Sequence, residues 1–130
     1  MEHRYRITDA LWKQLGPLLA GAKARAGRKP VQDDRAFLEA VFFVVRTGCP
    51  WRDLPPQFGR WLSVYQRFRR WRLNGTWERL FAMLDQEAPL PDVEELFLDS
   101  TTVRAHRHAA GALKKGALET FKLWVAREAA

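Results

Sequence analysis

Large apolar side chains recur with helical spacing over residues 61–71. Trp61, Val64, Tyr65, Phe68 and Trp71 stand at i, i+3, i+4, i+7 and i+10, which predicts one buried stripe along a helix. At 100° per residue, Ser63, Gln66, Arg67 and Arg70 fall on the opposite side. Residues 60–72 hold five arginines, beginning with Arg60, and no acidic residue. A helix of this kind can be held from behind by its aromatics while polar and cationic groups reach phosphates and base edges, the layout of a recognition helix. An arginine-coated surface helix would leave the same periodicity.

The remaining pattern builds a support for that stretch. Residues 7–19 predict a first helix with Thr8 as N-cap, Asp9 in the first turn and Leu11, Trp12, Leu15, Leu18 and Leu19 buried; Pro17 is expected to end or kink it. Asp33 and Asp34 open a second helix, where their charge meets the positive end of the dipole. Its Phe37, Leu38, Val41, Phe42, Val44 and Val45 are dense enough to form the centre of the core, and Gly48 stops it. Residues 49–59 contain Pro50, Pro55, Pro56 and Gly59, so they predict a structured connection, pinned by Trp51 and Leu54, in which Asp53 caps or pairs with an arginine. Asn74 and Gly75 end the arginine-rich helix, and Thr76 is the expected cap of a fourth, carrying Trp77, Leu80, Phe81 and Leu84. Together these predict a mainly α chain with a helix-turn-helix-like domain over residues 1–86. A plain helical bundle with a basic surface fits the same pattern. Residues 87–93, acidic and proline-bearing, read as a linker. The apolar Leu96, Phe97 and Leu98, followed by Asp99 and the β-branched Thr101, Thr102 and Val103, predict a strand. Asp99 is then a turn residue or a metal-binding carboxylate, with the turn favoured. Residues 117–130 return to a helical pattern through Leu118, Phe121, Trp124 and Val125.

Charge adds a direction to this picture. The chain has 130 residues and a net charge of +7, but residues 1–79 carry 16 Lys/Arg against 7 Asp/Glu, whereas residues 80–130 carry 6 against 8. The basic surface therefore belongs to the first part. Nucleic acid is the leading partner for such a field, since neutralising phosphates releases condensed counterions. Lys23, Arg25, Arg28 and Lys29, in the Gly- and Ala-containing residues 21–30, form either an arm along a nucleic-acid backbone or a solvated linker. The single Cys49 fits a reducing compartment, no secretory signal is recognisable, and the longest apolar run, residues 40–45, falls far short of a membrane span. A cytoplasmic protein with no membrane partner is expected.

Four ordered segments, TGCPWRDLPPQFGRW, VYQRFRRW, GTWERLF and LFLDSTTVRAHRHAAGA, resemble the amino-terminal part of bacterial insertion-sequence transposases of the DDE type, those with the insertion element 402-like domain. The resemblance spans approximately residues 5–116. It implies that the helical region binds double-stranded DNA at the element's terminal inverted repeats. It also implies that residues 94–116 begin an RNase H-like catalytic domain in which Asp99 is the first carboxylate of the triad. In that chemistry two divalent ions, here Mg²⁺, sit roughly 3.5–4 Å apart and serve an in-line displacement at phosphorus; carboxylates supply their hard oxygen ligands. Ser100, Thr101 and Thr102 would support the site. His106 and His108 read less well as a transition-metal pair than as a polar exit that touches nucleic acid, with Arg104, Arg107, Lys114 and Lys115. The chain departs from the family after Asp99, because the only acids that follow are Glu119 and Glu128. The triad is incomplete, so the resemblance implies an upstream-frame or truncated product with a divergent segment over residues 117–130. Three roles follow: the DNA-binding portion of a transposase, a stand-alone repressor on the same DNA, or a module that dimerises with a downstream-frame half or full-length transposase.

Overall fold

Thr8 opens the first helix, its hydroxyl oxygen accepting a bond from the Leu11 amide at 3.2 Å. The computed structural model describes residues 6–23, 33–105 and 110–128, with side chains described throughout these except at residues 100–117. The first helix, α1, is Asp9–Ala22. It runs on through Pro17, which neither ends it nor marks its last turn. Leu15 and Leu19 are buried, with Leu11, Trp12 and Leu18 packed at the edge of the core. The second helix, α2, is Asp34–Thr47. Asp33 is its N-cap, accepting from the Ala36 amide at 2.8 Å, and Gly48 closes it at φ 74°, a left-handed conformation that costs glycine little. Seven apolar residues of α2 are buried, from Phe37 to Val45, as expected of a central helix.

Two 3-10 turns, Trp51–Asp53 and Pro56–Phe58, carry the chain from α2 to the third helix. Leu54 and Phe58 are buried and Trp51 is half-buried, so the proline-rich connection is fastened to the core. The arginine-rich helix, α3, is Trp61–Leu73, and α4 is Thr76–Glu87. Between them Gly75 adopts φ 83°. Thr76 is not the cap expected of it: Asn74 supplies the capping oxygen, accepting from the Thr76 amide at 3.0 Å and from its hydroxyl at 2.7 Å. Thr76 is instead the first residue of α4 and is buried. Trp77, Leu80, Phe81 and Leu84 are buried as anticipated.

Past Glu87 the architecture departs from expectation. Residues 88–90 link α4 to α5, Pro91–Ala105, so the predicted strand at residues 96–103 lies within a helix. No strand occurs among the described residues. A lone strand would leave its backbone donors and acceptors unpaired, whereas a helix satisfies them internally and still buries Val93 and Phe97. The β propensity of Thr-Thr-Val, worth at most about 1 kcal/mol per residue, cannot offset that. The last helix, α6, is Ala110–Glu128. It lies along α5, while α5 also rests on α2, and α1 packs on α4. Phe121, Trp124 and Val125 are buried in the same apolar cluster as Phe37 and Phe42. Phe121 bridges the layers, with ring centroids 5.0 Å from Phe97, 5.7 Å from Phe42 and 5.9 Å from Trp77.

A candidate nucleic-acid interface on the third helix

The buried side of α3 is made by Val64, Arg67, Phe68 and Trp71, while Trp61 and Tyr65 are half-buried. At 100° per residue this centre lies roughly 45° from that of the five-member apolar stripe. The rotation has two consequences. It brings Arg67 inside, and it turns Arg69 outward alongside Ser63, Gln66 and Arg70.

Arg67 is 7% exposed, which corrects its expected place on the outer face. Its guanidinium pairs with Asp34 at the start of α2 and lies over the Phe37 and Trp71 rings, 4.6 and 5.5 Å from their centroids. Burial lowers its pKa, and the neighbouring Asp34 only partly opposes that shift. The group stays cationic, since arginine's ordinary value is far above neutrality. Lys23, expected in the basic arm, is held in the same cluster by a 2.8 Å ion pair with Asp34. Arg25, Arg28 and Lys29 lie outside the described residues.

What remains on the outer face is Ser63, Gln66, Arg69 and Arg70, all exposed; Arg60, the N-cap just before the helix, is exposed as well. Among the described residues no carboxylate forms an ion pair with Arg60, Arg69 or Arg70, whereas Arg72 pairs with Glu78 at 2.7 Å. Leu62 and Leu73, near the two ends of the helix, are also exposed, at 39% and 75%. Counting aromatics leaves Arg67 and Arg69 both near the border of the stripe, so the helix's own periodicity does not say which of them turns outward. No local signal in the sequence says that Asp34 draws Arg67 in.

Asp99 lies apart from this face. It is exposed on α5, and its carboxylate accepts from Arg46 at 2.8 Å; the same guanidinium donates to the Asp99 carbonyl. Among the described residues no three His, Cys, Asp or Glu side chains converge as ligands for one ion. His106 and His108 lie outside the described residues. Among the described residues no ligand set for an ion forms around Asp99, whose carboxylate is engaged by an arginine. Because Asp99 is more than half exposed, this pair contributes little: Asp99→Asn is expected to lower unfolding stability by no more than about 1 kcal/mol in urea titration.

Residues 7–81, from α1 into α4, match a family model described as "Putative transposase of IS4/5 family (DUF4096)". The chain belongs to this transposase family. It is 38% identical over 124 residues to "Uncharacterized protein y4sN" of Sinorhizobium fredii, covering 95% of each chain. It is also 37% identical over 108 residues to "Insertion element IS402 uncharacterized 16.2 kDa protein" of Burkholderia cepacia, covering 76% of this chain and 73% of that one. No solved structure matches. The IS4/5 transposase match takes in α1, α2, the pinned connection and α3 entire, so the outer arginine face lies inside the family region. Among the described residues no helix is long and apolar enough to cross a membrane.

Proposed function

We propose that this transposase-family chain binds double-stranded DNA at the ends of its insertion element, laying the outer face of α3 against the duplex as the recognition helix of a helix-turn-helix-like unit. The observation that carries this reading is the exposed pair Arg69 and Arg70, with Arg60 at the helix's N-cap, none of them ion-paired to a carboxylate among the described residues, on a helix whose opposite side is anchored in the core. Guanidinium forks suit bidentate contacts to phosphate or guanine. Ser63 and Gln66 between them supply hydrogen bonds to base edges. Arg67, in this reading, positions the helix and does not touch DNA.

Binding without cleavage is the second part of the proposal. It is favoured by the engagement of Asp99 with Arg46 and by the lack of a converging acid set among the described residues. A chain that occupies the element's ends and cannot cut them would act as a repressor of transposition, alone or beside a full-length transposase.

Band shifts of the purified chain on the element's terminal repeats, at several salt concentrations, test this. The expected result is repeat-preferring binding that weakens steeply with salt, with no nicking in Mg²⁺. The double variant Arg69→Ala/Arg70→Ala should reduce the salt slope by about 1 for each phosphate that is no longer neutralised, with stability unchanged within about 0.5 kcal/mol. An unaltered slope in a folded double variant refutes the assignment of this face.

A further inference from the structure

The same rotation that buries Arg67 leaves a feature on the other flank of α3. An open groove of about 370 Å³ is lined there by Pro50, Trp51, Arg52, Trp61, Tyr65 and Glu128. Its wall is aromatic. Trp51 and Tyr65 have ring centroids 5.4 Å apart, and the Arg52 guanidinium stands 5.4 Å from the centroid of the Trp61 ring. Trp61 and Tyr65, one turn apart on α3, are only half-buried, so each keeps part of its ring open to solvent.

We propose that this groove receives one unstacked nucleobase of the DNA held on α3, an inference that rests on the DNA-binding reading above. Its volume lies at the small end for ligand sites, which suits one planar group better than a helix or a length of peptide. Its rings offer a stacking platform, and stacking accepts any base because every base has a π face. Charge selects the occupant further. Arg60 adjoins Trp61 and Arg69 lies one turn beyond Tyr65; both are exposed, so phosphates drawn to the outer face run beside the groove. Glu128, the one carboxylate in the lining, would repel a phosphate there. A carboxylate only accepts hydrogen bonds, so it matches the exocyclic amino group of cytosine or adenine. Glu128 also meets Arg127 at 3.8 Å and Arg52 lies against Trp61, so the lining keeps a charged group of each sign at the groove, which suits a polar planar base better than an apolar protein segment.

The test uses the full chain and a duplex ending in three unpaired cytosines, compared with the same duplex carrying abasic residues or thymines in those positions. Binding is followed by tryptophan fluorescence and by competition. The cytosine end is expected to bind about ten-fold tighter than the abasic end, with quenching of tryptophan emission. Trp61→Ala should abolish that difference while leaving affinity for the blunt duplex unchanged. Glu128→Gln, a surface change that does not threaten the fold, should narrow the preference for cytosine over thymine. Equal binding of cytosine and abasic ends overturns the proposal and leaves the duplex reading standing. So does a folded Trp61→Ala variant that keeps the difference, or that loses self-association instead, which would make a second protein chain the occupant. Absence of any duplex binding brings down both readings together.

Discussion

Trp77→Ala is expected to cost about 3–5 kcal/mol, a large part of the roughly 5–15 kcal/mol that holds a domain of this size together. The indole is 1% exposed and is the node of the aromatic cluster, with ring centroids 5.1 Å from Trp71, 5.7 Å from Phe68, 5.9 Å from Phe121 and 6.0 Å from Phe81. It therefore touches residues of α3, α4 and α6 at once, and no single neighbour can move to fill the space it leaves. Its N–H also donates to the Phe68 carbonyl at 3.0 Å, so it ties α4 to α3 with direction as well as area. Trp77→Phe keeps an aromatic ring but loses that bond, worth about 1 kcal/mol net, along with part of the packing. Urea denaturation followed by circular dichroism should rank wild type, Trp77→Phe and Trp77→Ala in falling stability. An alanine variant within about 1 kcal/mol of wild type would mean that these helices are not joined through Trp77.

Asp34→Ala carries the second large effect. Removing this carboxylate leaves Arg67 charged and 7% exposed with its principal counterion gone, and it also releases Lys23. Breaking a buried pair from one side typically costs about 3–5 kcal/mol; the partial exposure of Asp34 places the expected loss near the lower end of that range. Replacing the arginine gives a different outcome. Burial dominates its pKa shift and lowers it, so Asp34 does not fully repay the desolvation of the guanidinium. Arg67→Met, which keeps much of the stem against Phe37 and Trp71, is therefore expected to destabilise less than Asp34→Ala. Adding Arg67→Met to Asp34→Ala should recover part of the lost stability, because the buried charge that Asp34 balanced goes with it. If Asp34→Ala and Arg67→Met were equally harmful and additive, the two would not act as a buried pair. This cycle also separates anchoring from recognition, since Arg69→Ala/Arg70→Ala should change DNA binding and not stability.

The contrast between Arg67 and Arg70 shows how far periodicity along one helix can reach. Both stand in an acid-free stretch of α3, and both fall away from the row of aromatics when only that helix is considered. One is buried and the other exposed because α3 rests on α2 through Asp34 and Phe37, whose contribution lies outside the helix's own periodicity. The same limit applies at Asp99. Its flanking residues carry a strand preference, yet strands exist only with partners, and here α2 and α6 offer apolar surface for a helix to cover.

Local chemistry determined what local chemistry can hold. The caps at Thr8 and Asp33, the stop at Gly48, the pinned proline connection, the buried face of α4 and the helical tail all follow from side chains within a few residues of where they act. The family resemblance, too, was legible in ordered motifs along the chain. The tertiary structure alone decided which arginines face outward, which carboxylate meets which cation, and whether residues 96–103 extend or coil. Each of those depends on the free energy of groups distant in sequence, through desolvation, ion pairing across helices and the presence or absence of a neighbouring strand, and periodicity carries none of it.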